Sequence, residues 1–308
     1  MQIVHGHSHV PITARSAVVA IGNFDGVHLG HRALLKAAVA KAKELGRPSG
    51  AMVFEPHPRE FFQSNEPHFR LTPLKRKLAL LEQLGLKVAF VEHFDQHLAN
   101  LKAEEFIERV LVAGLGVSHV VIGYDFYFGH KRGGNPELMA QLGEQLGFGV
   151  TVMPPVAEAG EVFSSSSVRL HLAQGDVRGA AHMLGDNWRV AGKVVGGAKR
   201  GTGLGYPTAN LPMPKGTALG HGIYAVRVHV DGAAHDGAAY LGTRPTFDDG
   251  MPVLEVFLLD FDGDLYGHHL EVEFVGFIRG DRKFASGEEL VQQMEIDVAQ
   301  VRAALAAG

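Results

Sequence analysis

Between residues 17 and 153 the chain alternates two kinds of segment, and that alternation restricts the fold more than any other feature. Five short runs, at 17–21, 51–54, 88–91, 119–122 and 150–153, are almost wholly apolar. A strand without a polar side must be covered on both faces, as in a parallel sheet flanked by helices. Between the first two runs, Leu34, Leu35, Ala38, Val39, Ala42 and Leu45 recur at helical spacing, and Gly46 supplies the stop. Similar helical patterns occupy about 73–84, 103–114 and 136–147. Strand and helix in repeated alternation predict an α/β doubly wound parallel sheet.

Residues 154–185 form a transition, with Pro154-Pro155, a serine run at 164–167 and two short helical pieces ending at Leu184-Gly185. After Asn187 the period changes. Alternating segments at 188–195, 223–230, 253–259 and 270–278, divided by Gly, Asp and Pro clusters, predict an antiparallel β-barrel or sandwich, and the barrel is the expected fold class. A terminal helix is expected from Ser286-Gly287-Glu288-Glu289, a capping-box spacing, with Leu290, Met294, Val298, Val301 and Leu305 on one stripe. The expected domains are therefore 1–185 and 186–308.

Composition removes several classes of function. The 308 residues include no cysteine, which excludes disulfides, thiol catalysis, iron–sulfur clusters and cysteine-ligated zinc. Net charge is −4, without the basic footprint that carries nucleic-acid affinity. No apolar stretch approaches the length of a membrane helix, and residues 1–9 lack the basic start and apolar centre of an export signal. The expectation is a cytoplasmic protein with small-molecule partners and no nucleic-acid or membrane partner.

The first run leads directly into Gly22-Asn23-Phe24-Asp25-Gly26-Val27-His28-Leu29-Gly30-His31, and a helix follows. Helix N-termini beyond the carboxyl ends of parallel strands present free N–H groups to anions. Glycines let a phosphate approach the backbone. His28 and His31, three residues apart, point the same way in the first turn and suit the charge that develops on a phosphate during displacement. Asp125, after the fourth run, is positioned to accept hydrogen bonds from a base or ribose. Ser164, Ser165 and Arg169 offer hydroxyls and one guanidinium to a leaving pyrophosphate.

That opening motif resembles the nucleotide-binding motif of the bacterial bifunctional riboflavin kinase/FAD synthetase family, whose first domain is nucleotidyltransferase-like. Phe54-Glu55-Pro56-His57-Pro58, Gly123-Tyr124-Asp125-Phe126-Tyr127-Phe128-Gly129 and Ser164-Ser165-Ser166-Ser167-Val168-Arg169 follow in the same order. The resemblance implies that Ser164, Ser165 and Arg169 act on ATP phosphates, and that Asn23, Asp25 and Asp125 contact ATP or flavin. It also implies catalytic roles for His28 and His31. The family usually has Arg where Tyr127 stands.

A basic, glycine-rich flap, 196–205, precedes Tyr206-Pro207-Thr208-Ala209-Asn210. Thr208 and Asn210, two apart in an extended segment, share a face and offer oxygens to a hard cation such as Mg²⁺. The flap and Pro-Thr-Ala-Asn resemble the riboflavin kinase domain of the same family. Gly222-Ile223-Tyr224, Leu254-Glu255-Val256, Asp264-Leu265-Tyr266-Gly267 and Ile278-Arg279 extend the match. The resemblance implies that Thr208 and Asn210 hold Mg²⁺ and ATP phosphates, that Gly201, Gly203 and Arg279 contact ATP or flavin, and that Glu255 is the general base. Thr202, Tyr240 and Asp281 stand where the family often has Arg, Asn and Glu.

The expected function is phosphorylation of riboflavin by ATP to FMN, then adenylylation of FMN to FAD with release of pyrophosphate. Activity of only one half, or a regulator that binds flavin or nucleotide without turnover, are the alternatives. Retention of both histidines and Glu255 argues against the regulator, because binding alone requires neither.

Overall fold

The computed structural model describes residues 1–63, 65–196, 206–214, 216–243 and 252–307. Two compact units, Met1–Ser165 and Ser166–Gly308, make up the chain. In the first, β1 (Gln2–His5), β2 (Val18–Ile21), β3 (Ser49–Glu55), β4 (Val88–His93), β5 (His119–Gly123) and β6 (Gly149–Met153) form one sheet in the order β1-β4-β3-β2-β5-β6. All its pairings are parallel. The strand pattern that begins at residue 17 misses β1. That strand lies at the sheet edge with only Val4 buried, so it carries no apolar run to betray it.

Each central strand feeds two cores. Val19 and Ile21 of β2 pack on one face with Met52, Phe90, Val120 and Ile122. Val18 and Ala20 pack on the other with Ala51, Val53 and Val121. The second face is covered by α1 (Leu29–Leu45) through Leu34, Leu35, Ala38 and Ala42, and by Leu81, which lies beyond the short α2 (Pro58–Phe62) on α3 (Leu74–Gln83). The first face is covered by residues after α4 (Gln96–Asn100). There α5 (Ala103–Glu105) widens into a π-helical segment, Phe106–Leu115, and α6 (Pro136–Leu146) follows β5. Gly46 and Gly147 end α1 and α6 in the left-handed conformation expected of a glycine stop.

From β2 the chain steps outward through β3 and β4, then returns to place β5 on the other side of β2. Strand order therefore reverses between β2 and β5. A parallel sheet opens a ligand crevice at such a reversal, outside the carboxyl ends of the strands. The loops that begin at Gly22 and Tyr124 leave from these ends.

A small hairpin, β7 (Ala157–Glu158) with β8 (Glu161–Val162), precedes α7 (Ser165–Ala173) and α8 (Val177–Leu184). The second unit holds β9 (Arg189–Lys193), β10 (Ala209–Pro212), β11 (Gly222–Val230), β12 (Ala233–Thr243), β13 (Pro252–Leu258) and β14 (His269–Arg279). They pair antiparallel in the order β10-β13-β12-β11-β14-β9, and a bridge between Val195 and Asn210 brings the two edges together. The result is a nearly closed barrel. Tyr224, Val226, Val228, Leu241, Leu254, Val256, Val272 and Phe274 are among its buried residues.

Against the barrel, α9 (Gly287–Ala306) packs Val301 and Leu305 onto Ala225 and Val275. Ser286 caps it by accepting from Glu289 N–H at 3.2 Å, while Glu289 reaches back to Ala285 N–H at 2.9 Å. Helices α7 and α8 belong largely to this unit, with Gly220 N–H donating to Leu172 O at 2.8 Å and Val177, Met183 and Leu184 buried.

Phe274 is fully buried between Trp188 and Tyr224, with ring centroids 5.0 and 5.3 Å away. Phe274→Ala is expected to destabilise the second unit by about 3–5 kcal/mol. A urea titration should show one unfolding step moving to lower denaturant while the first unit's step stays in place.

Candidate active sites

The loop after β2 holds an unusual backbone. Phe24 (φ 47°), Gly26 (φ 92°) and Val27 (φ 47°) all occupy the left-handed region, which is especially unfavourable for β-branched Val27. Such a path persists only when surrounding contacts over-determine it. The buried Asp25 carboxylate accepts from Leu71 N–H at 3.2 Å and Thr72 N–H at 3.0 Å. Lys77 Nζ donates to Asn23 O at 2.7 Å, Ser165 Oγ to Asp25 O at 2.8 Å, and Arg32 Nε to Val27 O at 3.2 Å. Asp25 thus acts through structure, by tying the loop to the segment before α3.

This anchoring sets the two histidines. His28 is the N-cap of α1, its Nδ1 accepting from His31 N–H at 3.3 Å. The rings stack with centroids 3.6 Å apart and planes 26° from parallel, and Phe24 packs edge-on against His31. Burial lowers the His28 pKa to about 4 against the pull of Asp25. Burial, then His28 and Lys77, hold His31 well below the usual range. Both rings are neutral at pH 7. Buried beside them, His31 Nδ1 and Asn23 Oδ1 have no protein partner among the described residues. At the helix N-terminus the His31 imidazole can donate to an anion, while Asn23 Oδ1 is an acceptor for a donor group of the same ligand.

At the carboxyl end of β3, Arg70 donates to Glu55 at 2.8 Å and pairs with Glu60. Burial acts to raise the Glu60 pKa, but Arg70 outweighs it and lowers the carboxyl below its usual range. His57 caps α2 and its ring packs against His68, with centroids 4.6 Å apart and planes tilted by 34°. Its pKa falls to about 4 through burial, then through His68 and Lys77. Alongside, Phe61, Phe62 and Phe94 form an edge-to-face aromatic cluster with centroids 5.3–5.6 Å apart, and Phe62 is 66% exposed. This is a stacking surface open to a planar ligand. Asp125 is exposed after β5, and Arg132 lies over the Tyr127 ring at 4.9 Å, bringing a guanidinium to that residue.

His28, His31, Asn23, Asp25 and Ser165 come together around one loop, with Ser164 next in chain to Ser165. Arg169 follows one turn along α7, within the second unit. Sequence reasoning overlooked Lys77, which is only 3% exposed. Its signal is a lysine in the buried stripe of α3 beside Leu74, Leu78 and Leu81.

In the barrel, register places several expected residues in one row. Asn210 pairs with Glu255, Glu255 with Tyr240, Tyr240 with Ile223, and Ile223 with Arg279. Directly paired residues share a sheet face, so Asn210, Glu255 and Tyr240 flank one another opposite the barrel interior. Asn210 Nδ2 approaches Thr208 O at 3.5 Å. A cavity of about 250 Å³, lined by Thr208, Pro207, Leu258, Phe261, Asp264 and Tyr266, opens beside Thr208. Among the described residues no cluster of three or more His, Asp or Glu forms a metal cage. Thr208 and Asn210 still provide the oxygen donors that a hard cation shared with phosphates uses.

Arg279 is bound to partners within the protein. Its fork is committed to buried Asp297 of α9, at 2.7–3.1 Å, and to Gly280 O at 2.9 Å. It ties β14 to α9. Asp281 lies 3.8 Å from His221. Gly201, Gly203 and Thr202 lie outside the described residues.

A family model described as FAD synthetase matches residues 10–167, and one described as riboflavin kinase matches 184–305. Bifunctional riboflavin kinase/FMN adenylyltransferases are similar along nearly the whole chain. The protein from Pseudomonas fluorescens is 42% identical, covering 98% of this chain and 97% of its own. Those from Haemophilus influenzae and Escherichia coli K12 are each 38% identical, covering 98% and 96% of this chain and 99% and 94% of their own. A solved structure from Streptococcus pneumoniae, described as a macrolide-efflux protein, has TM-score 0.85 at 27% identity and covers 98% of this chain and 99% of that one. No helix among the described residues is long and apolar enough to cross a membrane.

The buried histidines make a pH prediction. A histidine held neutral to about pH 4 in the fold, but protonating near 6.5 when unfolded, contributes stability that is fully present above 6.5. That stability is lost as pH falls toward 4. His28 alone should cost about 2–3 kcal/mol over this window. Urea midpoints of the first unit at pH 7, 5.5 and 4.5 should fall steadily. His28→Asn, which retains an N-cap acceptor, should flatten the slope.

Proposed function

Since the chain belongs to the bifunctional riboflavin kinase/FMN adenylyltransferase family, we propose that its two units divide two successive ATP-dependent reactions. The barrel unit phosphorylates riboflavin to FMN, and the parallel-sheet unit transfers AMP to FMN, giving FAD and pyrophosphate. The observation that carries the second assignment is the neutral His28–His31 pair, stacked at the N-terminus of α1 beside the unpartnered His31 Nδ1 and Asn23 Oδ1.

In the adenylyl step, a phosphate oxygen of FMN attacks the α-phosphorus of ATP, the new P–O bond forms, and the bond to the β-phosphate breaks. No enzyme nucleophile is needed. Catalysis is positioning and charge stabilisation. N–H groups at the start of α1, with His28 and His31, bind the α-phosphate where charge accumulates. Ser164, Ser165 and Arg169 receive the leaving pyrophosphate, Asp125 accepts from the nucleoside, and the Phe61, Phe62 and Phe94 cluster offers a face to the flavin ring. Asn23 contacts the nucleotide through its side chain, while Asp25 holds the loop.

In the kinase step, the terminal ribityl hydroxyl attacks the γ-phosphorus, its proton passes to Glu255, and ADP leaves. Thr208 and Asn210 would hold Mg²⁺, which when bound neutralises phosphate charge. Gly201 and Gly203 contact ATP, and Arg279 acts indirectly by fixing the end of β14. The cysteine-free composition suits a reducing compartment, and we place the enzyme in the cytoplasm.

Incubation with riboflavin, ATP and Mg²⁺, with flavins resolved by chromatography, tests the reading. FMN followed by FAD is expected, and the appearance of neither would remove it. His31→Ala should cut FAD formation from FMN about a hundredfold and leave FMN formation near wild type. Glu255→Gln should do the reverse, reducing FMN formation by about 10²–10⁴. Equal loss of both activities in either folded variant would sink the division of labour.

We also propose residues 186–308 as the kinase domain. A fragment of these residues is expected to make FMN and no FAD. One starting at 166 should do the same with a higher melting temperature, because it keeps α8 packed on the barrel. An inactive, molten longer fragment would overturn the assignment.

A further inference from the structure

Lys77 lies in the buried stripe of α3, where a methionine would fill the same space without the cost of a buried charge. Its ammonium is not exposed to ligand from solvent. It donates to Asn23 O at 2.7 Å beneath the strained loop. The loop faces it with Asp25 and His31, the β3–α2 junction with Glu55, His57 and Glu60, and the segment before α3 with Arg70. Arg70 is already engaged by Glu55 and Glu60. Lys77, bonded at Asn23, and Arg32, bonded at Val27, are thus cations directly linked to the loop that carries the histidine pair, and of the two Lys77 is the buried one.

We infer that Lys77 is a positioning residue for adenylyl transfer, pinning the Asn23 carbonyl and supplying fixed positive charge beneath the His28–His31 pair. The inference rests on the adenylyltransferase reading of this site. The hydrogen bond holds the left-handed path from Phe24 to Val27, and with it the N-cap that orients both rings. Burial and the neighbouring imidazole do most to hold His31 and His57 neutral, and the Lys77 charge adds to them in the same direction. The imidazoles then meet the phosphates as neutral donors, and the negative charge at the site is supplied by the nucleotide itself.

Two variants of the full-length enzyme separate tether from charge. Lys77→Met removes both, and Lys77→Gln keeps a donor for Asn23 while removing the charge. Two readouts are needed: kcat and KM for FAD formation from FMN, and the pH titration of the His31 and His57 ring signals by NMR. Lys77→Met is expected to lower kcat at least tenfold with little change in the KM for FMN, and to move the His31 titration to higher pH. Lys77→Gln should move the titration similarly and lose less activity. If Lys77→Met does not fold, the Gln variant decides. Wild-type kcat together with an unmoved His31 titration would overturn the inference, and so would lost activity with an unmoved titration, which marks a structural role only. Absence of FAD formation by the wild-type enzyme would instead strike the functional reading, while the titration would still report on Lys77.

Discussion

A buried carboxylate holds the first candidate site together. Asp25 accepts two backbone N–H groups from residues 71 and 72, and its own carbonyl receives the Ser165 hydroxyl. With Lys77 on Asn23, these contacts hold a loop in which a valine adopts a left-handed backbone. Strain of this kind costs on the order of 1–3 kcal/mol per residue and survives only where its surroundings dictate it. What it achieves is placement: the chain turns sharply from β2 into α1, and two imidazoles stack at a helix N-terminus. Loosening any tether would let the backbone relax and move both rings from the anion site.

The sheet explains why the loop is there. Its strand order reverses between β2 and β5, so the crevice at their carboxyl ends is not roofed by a crossover helix. Residues from chain-distant segments meet at this edge, including the histidine loop, the His57–Arg70 cluster and the serine that opens α7. The site is a consequence of topology as much as of motif.

The barrel handles phosphate chemistry with different means. Among its described residues no strained turn leads from a strand into a helix as at Gly22–His31. Antiparallel register instead sets Asn210, Glu255 and Tyr240 side by side on neighbouring strands, and Arg279 is held by Asp297 rather than pointed at a ligand. Rigidity here comes from the hydrogen-bond ladder. A carboxylate on such a row can be offered to a hydroxyl with little side-chain reorganisation, as proton transfer at close range requires.

The sequence by itself determined the two architectures, because apolar runs and alternating segments state directly which strand faces must be covered. It also exposed the residues with local signatures: His28 and His31 at helical spacing, Thr208 and Asn210 two apart, and the Ser286 cap. It did not reveal β1, whose edge position needs only one buried residue. Only the tertiary structure decided which partners within the protein the polar groups meet. Asp25 and Arg279, expected at the ligand, are bonded to backbone N–H groups and to Asp297, while Lys77, an ordinary lysine in an amphipathic helix, lies buried against the histidine loop. The physical reason is that a side chain's role depends on what the fold brings within hydrogen-bond reach, and those partners are tens of residues away in sequence.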